Sequence, residues 1–292
     1  MTVHYRDEEI EASSGKGSDD ENFPVGSFLI RPPLRPHIAT FYAFARAADD
    51  IVDAGHLSAE DKIRRLTAYE DVLLGRAEGL TRPTRLRESL VETKVTPDHA
   101  FHLLQAFKRD ANCLRYRTMD DLMGYCRLSA DPVGRYLLDL HGEDRALWPA
   151  SDGLCSALQI LNHLQDCGED RRELDRVYIP LDWLEEEGDT IEAVDRDALS
   201  PAFRRVMDRM LGVCDDLTAR AEGLVSGLKS RRLAAESAVI LKLARRLTAR
   251  LRKGDPLATR VALTKTDFAM AGVAGAWSGL VAPPKPAERR AA

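Results

Sequence analysis

Along most of this chain apolar residues return every third or fourth position, and the alternation of a half-buried strand is almost absent. Leu103, Leu104, Phe107, Ala111 and Leu114 make one such stripe. Thr96-Pro97, Ser200-Pro201 and Asp255-Pro256 each place a capping side chain before a first-turn proline, a helix-start signal. The pattern predicts roughly eight to ten helices joined by short polar loops, without a fixed-period repeat or long linker. That is an all-α, single-domain helical bundle. Pro132 falls inside the helical pattern of 119–141, so it should kink that helix or separate two helices. The ends read differently. Residues 1–20 are rich in Ser, Gly and acid, and 283–292 in Pro and Ala; both are expected to be disordered, leaving a folded domain over 21–282.

Two of the predicted helices carry an unusual load of acid. The segment 33–53 reads PLRPHIATFYAFARAADDIVD, apolar until Asp49, Asp50 and Asp53 arrive. Residues four apart share a helix face, so Asp49 and Asp53 point the same way, with Tyr42 and Arg46 in line before them. The segment 151–172 repeats the scheme, with Gln159, Asn162, Asp166 and Asp170 on one face. Like charges at this spacing repel, and burying four carboxylates without cations would be prohibitive. Magnesium takes oxygen ligands and fills its shell with waters and substrate phosphates, so two such pairs facing each other could hold two or three ions against one diphosphate. Acid pairs four apart also occur by chance; Asp182/Glu186 and Glu185/Asp189 are read as surface residues.

Composition narrows the classes. Hydrophobic residues are 44% and charged residues 30%, a globular profile, and the net charge of -5 argues against a nucleic-acid binder. The basic run 245–253 is read first as a solvated helix face, and second as a contact for diphosphate or an anionic membrane. Five scattered cysteines fit a reduced, cytoplasmic protein. The apolar stretch 261–281 contains Lys265 and Asp267, so it reads as an ordinary or interfacial helix. His37, His163 and the phenylalanines 41, 44 and 107 are read as structural before functional. No dinucleotide fingerprint is visible, and no nicotinamide cofactor is expected.

FYAFARAADDIVD (41–53), YCRLSADPVG (125–134) and LQILNHLQDCGEDRRELDRVYIP (158–180) together resemble the squalene/phytoene synthase family over nearly the whole chain. The resemblance implies the isoprenoid synthase helical bundle, with both aspartate motifs facing a central cavity. It implies that Asp49, Asp53, Asp166 and Asp170 bind magnesium with help from Asn162. Arg46, Arg176 and Tyr178 match positions that contact diphosphate, Tyr42 and Tyr125 match cavity-lining tyrosines, and Gln159 is a further candidate for the substrate. ENFPVGS (21–27) and CRLSADPVGR (126–135) are similar to the hydroxysqualene synthase branch of the bacterial hopanoid pathway. That branch implies presqualene diphosphate as substrate, water as final nucleophile, and a peripheral place at the membrane's inner face near neighbouring pathway enzymes. Two departures fit it: acid at Asp20 and Glu21 before Phe23, and Gln165 where an arginine usually precedes the second motif. Fewer basic groups suit one diphosphate rather than two, although Arg135 or Arg172 could supply replacements. The alternative within the family is head-to-head condensation of two prenyl diphosphates to presqualene diphosphate, squalene or phytoene. Outside catalysis, the alternative is a helical protein that binds prenyl lipid or a partner enzyme.

Overall fold

The computed structural model describes residues 3–12 and 30–281. Within them lie fourteen α-helical segments and two strands of two residues each. After α1 (Asp7–Ile10), the first half is α2 (Arg35–Asp53), α3 (Ala59–Leu73), α4 (Thr81–Thr93) and α5 (Asp98–Asp110). Then come α6 (Met119–Ser129), α7 (Asp131–Leu140), α8 (Trp148–Gln165), α9 (Cys167–Leu174), α10 (Leu181–Glu186), α11 (Pro201–Arg220), α12 (Glu222–Gly227), α13 (Arg231–Leu251) and α14 (Lys265–Val281). The helices exceed the eight to ten expected because two long patterns are split and three segments are only a turn or two long.

Each long helix buries one stripe. On α2 the stripe is Ile38, Phe41, Phe44, Ala48 and Ile51, at three-and-four spacing. These join Tyr69, Leu86 and Leu104 in one core. A second core gathers Leu161 and Leu164 of α8 with Met207 and Met210 of α11 and Leu247 of α13. α7 joins the two: Tyr136 and Leu140 sit in the first core, Leu138 in the second. Phe41 stacks on Tyr136 at 4.0 Å and Phe44 is fully buried, as core residues. Gly134 lets α7 lie against α8, since a Cβ there would meet the Ser151 hydroxyl and sit 2.6 Å from Cys155 Sγ.

Helix ends follow the sequence in part. Ser200 caps α11 by accepting from Phe203 N at 2.9 Å, and Thr118 and Asp121 form a capping box on α6. Asp255-Pro256 starts no helix. Asp255 instead accepts from Leu257 N, Ala258 N and Leu199 N, closing a turn against the start of α11. The 119–141 pattern breaks at Ala130, which places Pro132 in the first turn of α7, where its missing N–H costs nothing.

Residues 3–12, part of the stretch expected to be disordered, are packed. Val3–His4 pairs in parallel with Ala77–Glu78. Ile10 is buried, Tyr69 Oη donates to Glu11 at 2.7 Å, and Arg65 donates to the Ile10 carbonyl at 2.8 Å. One isoleucine inserted in a core, with its polar neighbours bonded, is enough to order a segment whose composition is otherwise polar. Residues 13–20, the ENFPVGS phrase and 283–292 lie outside the described residues. Asp189, read as a surface acid, is also buried: it accepts from both Arg196 terminal nitrogens, at 2.9 and 2.8 Å, and from Ser200 at 2.6 Å. Among the described residues no helix is long and apolar enough to cross a membrane.

Candidate active site

Both aspartate motifs lie at the ends of apolar helices, but they are built differently. α2 runs unbroken through Asp53, so Asp49 and Asp53 share a face as expected. The segment 151–172 is not one helix. α8 ends at Gln165, Asp166 takes a non-helical conformation, and α9 resumes at Cys167. The backbone bonds Asp166 N to Asn162 O and Asp170 N to Asp166 O persist across the break, keeping the second pair on adjacent turns.

Arg46 reaches Asp49 at 3.3 Å and Asp50 at 3.1 Å. Arg176, itself buried, holds Asp53 at 2.8 Å and the Val52 carbonyl at 3.1 Å. Burial works against the Arg176 charge, but Tyr178, Asp110 and Asp53 more than offset it and keep the guanidinium protonated. Asp49 is pushed up to about 7, by burial first and then by repulsion from Asp53, with Arg46 pulling the other way. Its side chain nevertheless keeps 35% of its surface exposed, so a ligand can reach it. Asp166 is pushed up to about 6, again by burial first and then by Asp170, with Arg260 opposing. In each pair the two carboxylates repel one another, and the neighbouring cations offset that repulsion only in part.

A column of aromatic and polar groups ties the two motifs together. The chain turns at Asp175 in the left-handed region, and Val177 N then bonds Leu114 O at 2.9 Å. This sets Tyr178 flat against His163, ring centroids 3.5 Å apart. His163 Nδ1 stands 3.8 Å from Asp170, and its Nε2 meets Gln159 Nε2 at 3.0 Å. From Asp53 the path runs through Arg176, Tyr178 and His163 to Asp170. Tyr125 and Tyr178 both donate to Asp110, at 2.5 and 3.2 Å. Burial raises both phenols well above their ordinary range, so they remain neutral donors. Tyr42 and Asn162 are half-buried, Tyr42 on the face of Arg46 and Asn162 one turn before Asp166.

Three of these groups escaped the sequence reading. Asp110 lies on the Leu103–Phe107–Leu114 face, so a lone acid in an apolar stripe was the available signal. Its carboxyl is pushed up to about 7 by burial, with Arg176 and the Tyr125 bond pulling down. Lys62 of α3 stands in the field of Arg176 and Asp53, its ammonium lowered by burial first. Arg260, from the loop before α14, is the cation beside Asp166. Gln165 points elsewhere: it is buried and donates to the Val261 carbonyl at 2.6 Å, anchoring that same loop. Of the replacement cations considered, Arg135 is committed to Asp152 by two bonds of 2.8 and 2.6 Å. The basic run is also mostly paired, Arg245 with Glu222, Arg246 and Arg250 with Asp267, and Arg252 with Asp215. His37 is structural, bonded to Ser89 at 2.8 Å.

The chain as a whole matches a known family. The model of squalene/phytoene synthases covers residues 17–267. This chain belongs to the squalene/phytoene synthase family. Hydroxysqualene synthase of Zymomonas mobilis subsp. mobilis is 44% identical, over 87% of this chain and 86% of that protein. The enzyme of the same name from Rhodopseudomonas palustris is 42% identical, over 93% of each. Among solved structures, squalene synthase HpnC from Alicyclobacillus acidocaldarius superposes with a TM-score of 0.70 at 30% identity, over 78% of this chain and 87% of that one. A dehydrosqualene synthase superposes with a TM-score of 0.71 at 17% identity, which shows the fold alone. The bundle is thus an isoprenoid synthase fold, and the protein is an enzyme of the squalene/phytoene type.

Proposed function

We propose that the protein ionises presqualene diphosphate and captures the rearranged cation with water, giving hydroxysqualene and diphosphate. The observation that carries this reading is the full-length likeness to proteins named hydroxysqualene synthase. The site's chemistry supports it. Asp49 with Asp53, and Asp166 with Asp170, are repelling pairs of the kind a hard divalent cation relieves. Among the described residues no three His, Cys, Asp or Glu side chains converge as a closed cage. Pairs without a cage suit magnesium, which draws the rest of its shell from water and a diphosphate. When bound on these four aspartates and Asn162, two or three magnesium ions would neutralise the charge that gathers on the leaving diphosphate.

The chain's own residues do the rest. Arg46 and Arg176 hold the first motif in register, and Arg46, with Lys62 and Arg260, offers positive charge to diphosphate oxygens. Tyr125 and Tyr178 spend their protons on Asp110, so toward a carbocation they offer lone pairs and ring faces. Tyr42 and Gln159 complete the polar lining.

Head-to-head condensation of two prenyl diphosphates is the second reading, and one observation favours it. Arg260 restores beside Asp166 the positive charge that Gln165 lacks, so the second motif is not depleted of cations. The deciding experiment is incubation with presqualene diphosphate and magnesium in isotope-labelled water, without a nicotinamide. Hydroxysqualene carrying the water oxygen is expected. Efficient conversion of farnesyl diphosphate to a condensed product, or squalene formation strictly requiring NADPH, would favour the second reading.

A further inference from the structure

At the opposite end of the bundle a cleft of about 580 Å3 opens between the start of α2, the end of α7 and the start of α13. Arg31, Lys229, Arg231, Arg232, His141 and Glu143 line it. α2 is 19 residues long, so this cleft lies roughly 28 Å along the helix from Asp53. Four permanent cations meet one carboxylate there. That carboxylate is already engaged: Glu143 is buried and accepts from Lys229 N at 2.8 Å and Ser230 N at 2.7 Å. Ser230 in turn caps α13 by accepting from Leu233 N.

The guanidinium of Arg231 is the unusual group. Both its terminal nitrogens, Nη1 and Nη2, are shielded from solvent and have no hydrogen-bond partner among the described residues. A shielded cation with two unsatisfied donors is costly unless a ligand satisfies it. The buried guanidinium of Arg176, by contrast, has a terminal nitrogen matched by Asp53. The two nitrogens form a fork that fits two oxygens of one planar or tetrahedral anion. A carboxylate would use the fork and leave the other cations unmatched. A phosphoryl dianion has further oxygens for Lys229 and Arg232, and gains from the partial positive charge at the start of the 21-residue α13.

We propose that this cleft is a second binding site, independent of the aspartate motifs and of magnesium, for a phosphoryl group borne by a soluble phosphate or an anionic lipid headgroup. Arg231 is its bidentate clamp once its guanidinium, shielded in the unliganded chain, turns out into the cleft. The site needs no metal, because cations already surround it.

The test uses the full chain in chelator, so that the aspartate motifs are silent. One arm titrates inorganic phosphate against thermal unfolding, with chloride at equal ionic strength as control. The other measures co-sedimentation with phosphatidylcholine vesicles, with and without phosphatidic acid. Phosphate-specific stabilisation identifies a soluble ligand; sedimentation that requires phosphatidic acid identifies a lipid. In whichever arm responds, Arg231→Met should weaken binding at least tenfold, and Arg231→Lys, which keeps charge but loses the fork, by a smaller factor. Unliganded Arg231→Met should unfold no earlier than wild type, because it removes an unmatched shielded charge. Its turnover on presqualene diphosphate should be unchanged. If that variant does not fold, the double exchange Lys229→Gln with Arg232→Gln should weaken the same arm several-fold. No response in either arm, or a response that Arg231→Met leaves intact, overturns the proposal.

Discussion

The two carboxylate pairs are supported differently. The first sits on an unbroken helix with Arg46, Arg176 and Lys62 around it. The second straddles a helix break, with Arg260 beside Asp166 and the edge of His163 against Asp170. The first pair is held in place before any ligand arrives. The second is shaped by the backbone at Asp166 and left to a cation. Charge pairing fixes one half of the site, and chain geometry fixes the other.

The sharpest way to break this comparison is to remove one acid from each half. Asp49→Asn and Asp166→Asn should each lower turnover by about 10³-fold or more, with helical circular dichroism unchanged, because each deletes a hard anionic ligand. They should differ in the unliganded protein. Asp166→Asn relieves repulsion from Asp170 and should not lower the unfolding temperature. Near wild-type turnover of either variant at limiting magnesium would contradict the paired site.

Arg176→Met comes next. It removes the buried guanidinium that holds the Asp53 carboxylate, itself only a tenth exposed, and should cost about 3–5 kcal/mol in urea unfolding. Arg46 meets acids that are more exposed, 35% at Asp49 and 19% at Asp50, so Arg46→Met should cost turnover far more than stability.

A smaller effect follows from the buried acids outside the pairs. Asp110 and Asp131 are both pushed up to about 7, chiefly by burial, from an ordinary 3.8. Between those values the folded chain holds protons that the unfolded chain has lost. Stability should therefore be fully present below the lower value and fall as pH rises through about 7. Asp110→Asn should flatten that fall, measured as denaturant midpoints across the range. A midpoint that rises over this interval would contradict the sign.

Least of all, Gln165→Met should cost about 1 kcal/mol, the bond to Val261, and change turnover by less than tenfold. A loss as large as that of Asp166→Asn would make Gln165 a direct participant.

The sequence shows the first motif almost completely, because a continuous amphipathic helix leaves no freedom about which residues share a face. It shows which residues make the second motif, but not the break at Asp166, which no proline marks and where Gly168 falls just inside α9. Asp110 was hidden because a single acid in an apolar stripe has no partner within its own helix; its partners Tyr125 and Tyr178 come from 15 and 68 positions away. The surroundings of Gln165 were hidden for the same reason: a loop almost a hundred residues on, tied down by the Gln165–Val261 bond, brings Arg260 beside Asp166. Ile10 likewise finds its core among residues far along the chain.

The two halves should act on one leaving group, and that can be measured directly. Pyrophosphate release from presqualene diphosphate is followed against magnesium for wild type, Asp49→Asn, Asp166→Asn and the double variant. If both pairs serve a single diphosphate, release requires magnesium and the double variant is little worse than the worse single one. Losses that multiply in the double variant, or release that persists without magnesium, would contradict a shared site.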